Sequence, residues 1–350
     1  MSLYALIMAG GEGKRFWPLS SKDNPKQFLN LTGDNSLLRN TYERICGLVK
    51  NENIFVVTTK NYVNKTAKHL PELNKNNILA EPVGKNTGPC IYYGSNIISD
   101  LDKDAVIVVL PADHAISNKN KFLSTLKYAI KICSKPLFKD NYPLVTLGIK
   151  PTRPDTGYGY IKKNDRIHGT TRHSTYTVSQ FTEKPDGPKA ERYIKTGKYF
   201  WNSGIFVWKA SSILKEFSIH CPQWDSYSHY DFCNKSLLGD YYKKIIAGPV
   251  DKMILEKSKN TVVIPASFEW SDIGTWQSLD EYLRKNSNEN IQRADSYSLD
   301  CSSNMIIGGK KPVVTIGVND LIVVDSKQGI LVINKNESQK VKHIAEKLGK

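Results

Sequence analysis

The sequence predicts an α/β fold of the Rossmann-like type, with helices on both faces of a mixed but mostly parallel sheet. Short apolar runs alternate with amphipathic segments in the first half of the chain, which is typical of β–α units. Three of these runs end in polar loops, as expected at the sheet edge where ligands bind. From about residue 286 short β-rich runs alternate with turn residues, which predicts a small β-roll or left-handed β-helix.

The predicted elements follow the apolar pattern in chain order. Strands are predicted at residues 3–9, 54–59, 78–80, 105–110 and 144–149, and helices at 35–49, 60–70, 90–101 and 122–133. In the middle third we expect a strand at 176–181, a helix at 191–196, a loop entering a strand at 200–208 and a strand at 262–265. Strands at 305–307, 313–318, 321–324 and 330–333 precede a helix at 339–348. These patterns predict a large domain at 1–285 and a small β-rich domain at 286–350.

Composition excludes several classes of protein. Hydrophobic residues make up 40% of the chain and charged residues 24%, values that are ordinary for a globular protein. No apolar run approaches the roughly 18 residues of a membrane span, and the run at 3–9 is too short for a signal peptide. The six cysteines include no C-x-x-C pair, so neither a zinc site nor a disulfide framework is indicated. We expect a protein of the reducing cytoplasm.

The net charge of +15 raises the question of a nucleic-acid partner. The lysines are spread along the whole chain, and no helix-turn-helix, zinc-finger or RNP pattern occurs. Attraction of small polyanionic substrates explains the charge equally well. We therefore expect neither a nucleic-acid partner nor a membrane partner.

The first polar loop combines glycines with cations. Gly10, Gly11 and Gly13 follow directly after the apolar run. Glycines let the backbone approach a ligand closely and direct its N–H groups towards it. Arg15 and Lys26 supply cations beside this loop. Exposed N–H groups together with fixed cations predict a receptor for phosphates.

Two well-known phosphate loops do not fit this stretch. In a P-loop alignment Met8 stands at the first glycine position and Arg15 at the hydroxyl position. In a G-x-G-x-x-G alignment Phe16 stands at the third glycine position. The loop therefore belongs to another kind of phosphate-binding site.

The pattern Gly-Gly-x-Gly-x-Arg-x-x-Pro-Leu at residues 10–19, with Pro25 and Lys26 downstream, resembles the signature of the sugar-phosphate nucleotidyltransferases. Phe16 and Trp17 before Pro18 make it more similar to the mannose-1-phosphate guanylyltransferase branch. The resemblance covers almost the whole chain. It implies transfer of the GMP moiety of GTP to α-D-mannose 1-phosphate, which gives GDP-mannose and pyrophosphate, in a homodimer.

Two aspartates are candidate metal ligands. Asp113 follows an apolar strand, and Asp272 lies between two tryptophans that could exclude water. An aspartate after a strand is often only a helix cap or a turn residue. Carboxylates are, however, the ligands that Mg2+ prefers together with phosphate oxygens, and both positions resemble the metal-holding aspartates of the family. The resemblance implies Mg2+ as cofactor and gives catalytic roles to Arg15, Lys26, Asp113 and Lys184.

The sugar-phosphate site is predicted by resemblance alone. In the motif Glu183-Lys184-Pro185 the family's lysine contacts the sugar phosphate and its glutamate contacts sugar hydroxyls. Asn202 matches an asparagine that hydrogen-bonds the sugar, and Gly157 and Gly159 match glycines that let the backbone approach the hexose. Asp251 also lies in a stretch similar to the family, but the resemblance assigns it no role.

The nucleotide is predicted to contact the three polar loops. The oxygens of Glu81, or carbonyl groups near it, are expected to accept hydrogen bonds from the donors of guanine. Two departures from the family occur beside it, Lys85 in place of an arginine and Gly88 in place of an alanine, so we expect GTP to remain preferred with softer selectivity. The predicted nucleotide-binding residues are Ala9, Gly10, Gly11, Glu12, Gly13, Glu81, Pro82, Asn86, Thr87, Pro111 and Ala112.

Other functions remain open from the sequence. The same fold could transfer a different nucleotide, or use another hexose or heptose 1-phosphate. It could also serve as a non-catalytic sensor of nucleotide sugars, because fold does not fix function. Longer relatives carry a fused isomerase domain that has no counterpart in this sequence, so we expect a single activity.

Overall fold

The structure is a computed structural model that describes residues 2–11, 13–139, 141–227, 235–309 and 311–349. The chain forms two compact units. The first unit comprises Met1–Gly10, Thr41–Ala112 and Ile116–Trp270, and the second comprises Gly11–Asn40, Asp113–Ala115 and Ser271–Lys350. The second unit thus collects three stretches that are far apart in the sequence.

The first unit is built on a nine-stranded sheet with the order β3-β2-β1-β4-β9-β6-β10-β8-β7. Its strands are β1 Leu3–Met8, β2 Ile54–Thr59, β3 Ile78–Glu81, β4 Val106–Pro111, β6 Leu144–Ile149, β7 Tyr160–Gly169, β8 Ser174–Thr182, β9 Tyr199–Lys209 and β10 Thr261–Pro265. The short strand β5, Ala115–Ile116, lies outside this sheet. The helices are α1 Leu37–Ile45, α2 Val63–His69, α3 Thr87–Leu101, α4 Lys119–Cys133, α5 Gly187–Lys195, α6 Ala210–His220 and α7 Lys235–Lys244. The first four residues of α1 are grouped with the second unit.

Strand β1 lies among parallel neighbours. It pairs with β2 on one side and with β4 on the other, and Ala5, Leu6 and Ile7 have no exposed surface. A strand covered on both faces needs an unbroken apolar run, which is what the sequence shows here. Helix α3 packs closely on this strand, because a Cβ on Gly94 would lie 2.4 Å from Leu6 Cδ1. The predicted α/β sheet is confirmed.

The structure corrects the prediction for residues 200–208. The sequence predicted a loop entering a strand, because Asn202, Ser203 and Gly204 are typical turn residues. The whole segment instead lies within β9, which pairs antiparallel with β4, β6 and β7. Asn202 stands opposite Gly148 next to a shift in register. Pairing on both sides overrides the local turn preference.

The second unit contains the C-terminal β-rich part. Its elements are α8 Trp276–Leu283, β12 Ile291–Arg293, β13 Ser296–Leu299, β14 Met305–Ile307, β15 Val313–Ile316, β16 Leu321–Ser326, β17 Gly329–Asn334 and α9 Val341–Lys347, and β11 is the short strand Trp270–Ser271 at the boundary of the units. Strands β12, β14 and β16 form one parallel ladder and β13 and β15 another, which is the arrangement of a β-helix. β17 pairs antiparallel with β16. The predicted β-helix-like domain is confirmed, and its handedness stays a prediction.

The core of the second unit links the glycine loop to the C-terminal elements. Phe16 and Trp17 are buried with Trp276 of α8 and with Val341 and Ala345 of α9. The predicted domain boundary between residues 285 and 286 stays a prediction. The two units are defined by contacts between residues, and each combines stretches that are separate in the chain. Among the described helices none is long and apolar enough to cross a membrane.

Candidate active site

The second unit contains a cavity of about 350 Å³ that brings together the predicted phosphate and metal residues. Gly13, Arg15, Lys26, Asp113 and Asp272 all line it. They come from the glycine loop with the segment after it, from the turn after β4, and from the stretch before α8. The sequence identified each of these residues separately, and the fold of the second unit places them on one cavity.

Lys26 connects the two predicted metal ligands. Its Nζ donates a hydrogen bond of 2.8 Å to Asp113 Oδ2 and one of 2.5 Å to the main-chain oxygen of Asp272. Lys26 is only 6% exposed, and a buried ammonium requires such partners. The sequence predicted Lys26 as a cation of the phosphate receptor, and its direct contact with phosphate stays a prediction. The geometry shows in addition that Lys26 links the two aspartates.

Asp113 is held in its ionised form. Burial alone would raise the pKa of its carboxyl, but the positive charges of Lys26 and His114 and the hydrogen bond from Lys26 bring that pKa below the ordinary value. The side chain of Asp113 is still 38% exposed. It therefore presents a negative oxygen to the cavity at neutral pH.

Asp272 is positioned by an unusual backbone conformation. The next residue, Ile273, has a φ of 45° and no exposed surface. A β-branched residue rarely adopts the left-handed region, and the cost is tolerated only where packing fixes the chain. Asp272 Oδ1 accepts a hydrogen bond of 3.0 Å from the Gly274 N–H. This turn places the main-chain oxygen of Asp272 within hydrogen-bond distance of Lys26 Nζ. Asp272 also lines the cavity.

The glycine loop approaches the Lys26 backbone rather than open space. Gly13 has a φ of +63°, and a Cβ there would lie 2.5 Å from Lys26 N. Gln27 Nε2 donates a hydrogen bond of 2.9 Å to Gly11 O, which fixes the start of the loop. Arg15 is exposed and lines the cavity. Glu12, the remaining nucleotide-binding prediction in this loop, lies outside the described residues.

Aromatic packing rigidifies this side of the cavity. Phe16 and Trp276 have ring centroids 4.9 Å apart, and Trp276 Nε1 donates a hydrogen bond of 3.0 Å to Trp17 O. Trp17 in turn packs close to Gly329, since a Cβ at that position would lie 3.1 Å from the indole. The Phe16–Trp17 pair thus anchors the glycine loop to α8 and β17.

The residues on the cavity fit a divalent cation that also binds phosphate. The described residues contain no group of three or more His, Cys, Asp or Glu side chains suited to a metal ion. Mg2+ needs only one or two carboxylates when water and phosphate oxygens complete its octahedron. Asp113 and Asp272 supply two carboxylates on one cavity. The ammonium group of Lys26 already binds one of these oxygens, Asp113 Oδ2. The site therefore stabilises a positive charge, that of Lys26.

Glu81, in the first unit, is buried rather than presented to a ligand. It is 2% exposed, and its Oε1 accepts a hydrogen bond of 3.0 Å from the Tyr242 hydroxyl. Burial raises the pKa of its carboxyl to about 7, although the bond from Tyr242 lowers it. A Cβ on Gly10 would lie 3.3 Å from Glu81 Oε2, so Gly10 makes room for this side chain. Contact between Glu81 and the donors of guanine stays a prediction.

The polar residues that follow Glu81 bind the protein itself. Lys85 Nζ donates to Ile245 O at 2.7 Å, and Asn86, with a φ of 76°, accepts from Thr87 N–H at the start of α3. Thr87 Oγ1 accepts a hydrogen bond from Val250 N–H at 2.9 Å. The departure at Lys85 thus has an internal partner.

Gly88, the second departure, has a steric reason. Its N–H donates to Gly248 O at 2.9 Å. A Cβ at this position would lie 2.8 Å from that oxygen and 2.6 Å from Met253 Sδ. The sequence suggested only a looser helix start, whereas the structure leaves no room for alanine.

The other nucleotide-binding predictions lie at strand ends with their main chain engaged. Ala9 N–H donates to Val57 O at 2.8 Å and Ala112 N–H to Met8 O at 2.9 Å. Pro111 ends β4 opposite Met8, and Pro82 is half-buried. Ala9 and Ala112 thus extend the parallel sheet, and their N–H groups are used in that extension.

The predicted sugar residues of the first unit form one cluster. Glu183 Oε1 lies 2.8 Å from Lys184 Nζ, and Lys184 has a φ of 49°, which is uncommon outside glycine. Gly159 accommodates the cluster, because a Cβ there would lie 2.6 Å from Glu183 Oε2 and 3.4 Å from Asn202 Cβ. Gly157 N–H, by contrast, donates to Asp155 Oδ1 at 2.8 Å, so its amide has an internal partner.

Asp251 belongs to this cluster, although the sequence gave it no role. Its Oδ1 accepts a hydrogen bond of 2.7 Å from Asn202 Nδ2. Burial and the negative charge of Glu183 raise the pKa of its carboxyl to about 7. The family-like stretch around Asp251 was the available signal, but its partner, Asn202, lies on a distant strand.

Comparison with known proteins agrees with this arrangement. The family model described as nucleotidyl transferase matches residues 4–289, and a mannose-phosphate isomerase/GMP-like beta-helix domain matches residues 296–348. The sheet, the glycine loop and the cavity with two aspartates thus define a nucleotidyltransferase with a β-helix domain.

Similar proteins define its branch. A mannose-1-phosphate guanylyltransferase of Salmonella muenchen is 34% identical, and the mannose-1-phosphate guanylyltransferase 2 of Escherichia coli O157:H7 is 36% identical; each match covers 99% of this chain and 73% of the relative. A solved structure from Thermus thermophilus, described as a mannose-1-phosphate geranyltransferase, is 29% identical with a TM-score of 0.89 over 100% of both chains. The chain belongs to the mannose-1-phosphate guanylyltransferase family of nucleotidyltransferases.

Proposed function

We propose that this protein transfers the GMP moiety of GTP to α-D-mannose 1-phosphate and releases pyrophosphate. The observation that carries the proposal is the cavity on which Arg15, Lys26, Asp113 and Asp272 lie together. Cations and paired carboxylates on one cavity suit a polyphosphate with a divalent cation. The relatives named as mannose-1-phosphate guanylyltransferases supply the choice of sugar and nucleotide.

The reaction needs alignment more than proton transfer. A phosphate oxygen of mannose 1-phosphate attacks the α-phosphorus of GTP, a new P–O bond forms, and the bond from that phosphorus to the bridging oxygen of the β-phosphate breaks. The attacking phosphate is largely ionised near neutral pH, since its second pKa is about 6. No general base is therefore required, and the electron pair of the broken bond leaves with pyrophosphate.

The side chains have distinct roles in this proposal. Arg15 is exposed on the cavity and its planar fork can bind two phosphate oxygens at once. Lys26 fixes Asp113 and the Asp272 main chain relative to each other. Lys184 is 60% exposed and available to a sugar phosphate, while Glu183 and Asn202 offer acceptor and donor groups to sugar hydroxyls.

Asp113 and Asp272 are the residues that would hold Mg2+. When bound, this cation neutralises charge on the phosphates and on the departing pyrophosphate. The two carboxylates contribute the protein's share of the ligands, and the phosphate oxygens and water contribute the others. We further propose that the protein acts as a homodimer, which is what the family resemblance implies.

A substrate matrix tests the proposed function. The purified protein is incubated with each of four nucleoside triphosphates and with several hexose and heptose 1-phosphates, and pyrophosphate release is measured together with the mass of the product. We expect GTP with mannose 1-phosphate to give the highest kcat/KM. Equal kcat/KM for ATP and GTP would overturn the guanine assignment. Binding of nucleotide sugars with no pyrophosphate release from any pair would indicate a sensor.

A further inference from the structure

The cavity of the second unit has a cation that neither the motifs nor the family resemblance indicated. Lys342 lines it together with Arg15, Lys26, Asp113 and Asp272. This lysine belongs to α9, close to the C-terminus and far in sequence from the glycine loop. We propose that Lys342 binds the terminal phosphates of the nucleoside triphosphate, an inference that rests on the proposed function of this cavity.

Helix α9 is fixed so that this lysine faces the cavity. Val341 and Ala345, four positions apart, are 3% and 1% exposed and are buried in the same core as Phe16. Residues four apart lie on one face of a helix, so burial of this pair sets the rotation of α9. Lys342 is placed by a packed core, while its side chain remains 53% exposed and accessible to a ligand.

The charge balance of the cavity gives Lys342 a function. Among the described residues that line it, Arg15 and Lys26 are offset by Asp113 and Asp272. His114 also lines the cavity, and Lys342 adds a further permanent cation to it. Lys342 Nζ lies 3.8 Å from Glu346 Oε1. Both side chains are exposed, so this ion pair is weak. A polyphosphate offers several oxygens at once and competes favourably with that single carboxylate.

The location assigns Lys342 to the triphosphate rather than to the sugar phosphate. The cavity is lined by Gly13 and Arg15, which belong to the loop predicted to hold the triphosphate. The described sugar-phosphate candidates Glu183, Lys184 and Asn202 belong to the first unit and do not line this cavity. Lys342 should therefore affect GTP and pyrophosphate and leave mannose 1-phosphate unaffected.

The test compares the parent protein with Lys342→Ala, Lys342→Arg and Lys342→Glu. Lys340→Ala is the matched control. Lys340 lies two positions away and pairs with Glu337, and it is not among the described residues that line the cavity. Arg15→Ala serves as the positive control. Initial rates give KM for each substrate, and calorimetry with inorganic pyrophosphate and Mg2+ measures binding without turnover.

We expect Lys342→Ala to raise KM for GTP and Kd for pyrophosphate about five- to tenfold, as for loss of one exposed charge-assisted contact. Lys342→Arg should restore most of the affinity, Lys342→Glu should weaken it further, and KM for mannose 1-phosphate and the Lys340→Ala control should be unchanged. Parent values for both Lys342→Ala and Lys342→Glu would overturn the inference, as would a parent protein that does not bind pyrophosphate. If the parent makes no nucleotide sugar but binds pyrophosphate, and the Lys342 variants bind pyrophosphate more weakly, the proposed function fails and the Lys342 assignment stands.

Discussion

Asn202 donates a hydrogen bond of 2.7 Å to Asp251, which comes from the short helical segment Asp251–Leu255. The Asn202 oxygen accepts from Thr146 Oγ1 and from Gly204 N–H, both at 3.2 Å. Donor and acceptor ends of the amide thus have different partners, so the orientation of this side chain is fixed. Among the described residues Asp251 is the acceptor for Nδ2, which leaves its second hydrogen for a ligand.

We expect Asp251→Ala to impair use of the sugar phosphate. Loss of the carboxylate removes the group that orients the Asn202 amide, and one such bond corresponds to about 1–2 kcal/mol or roughly a tenfold change in kcat/KM. Rates measured with varied mannose 1-phosphate should show a higher KM, while KM for GTP stays constant. Asp240→Asn, on the exposed face of α7, is the control. An unchanged KM for mannose 1-phosphate would show that Asp251 does not act through Asn202.

Asp113→Asn and Asp272→Asn should each lower kcat by orders of magnitude, because each removes one carboxylate from the proposed cation site. Asp272→Asn is the sharper test, since Lys26 bonds the main-chain oxygen of Asp272, which the substitution keeps. Titration with Mg2+ should show a higher concentration for half-maximal activity in both variants. The exposed Asp100→Asn is the control. Full activity of the parent in EDTA would contradict the metal role.

Glu81 should make stability depend on pH. Its pKa is raised to about 7 in the folded state, above the unfolded value of 4.5, so the folded protein binds the extra proton. The contribution is fully present below the unfolded pKa and is lost as pH rises through about 7, by on the order of 3 kcal/mol. Chemical unfolding at pH 5 and pH 8 should show a smaller decrease for Glu81→Gln than for the parent. Equal decreases in the two proteins would show that Glu81 is not the group responsible.

Gly88→Ala should destabilise the protein despite the higher helix propensity of alanine. The added Cβ would meet Gly248 O at 2.8 Å and Met253 Sδ at 2.6 Å, and such overpacking costs about 1–3 kcal/mol. Gly239→Ala in α7 is the matched control, since nothing lies within 4 Å of its Cβ position, and it should stabilise by up to about 1 kcal/mol. Thermal or denaturant unfolding measures both. Equal effects of the two substitutions would contradict the steric explanation.

Many strands of the fold could be predicted from the local pattern of apolar and polar residues. The apolar runs at β1, β2 and β6 were found at or within a few residues of their observed bounds, because a strand buried on both faces needs unbroken apolar residues. Strand β7, with its polar centre, gave no such signal, because it lies at the end of the sheet order and most of its side chains are at least partly exposed. The glycine loop was recognisable because a position such as Gly13, with a φ of +63° and the Lys26 backbone beside it, admits few residues other than glycine.

The sequence by itself determined most of the strands of the sheet, and it predicted a phosphate loop with Arg15, Asp113 and Asp272 as site residues. Only the tertiary structure decided which partner each charged group has. Lys26 lies between two aspartates, and Glu81 is buried against Tyr242. Asp251 and Lys342 join their clusters from distant segments. Residue type and spacing set local conformation, whereas the environment of a charge depends on contacts between residues far apart in the chain.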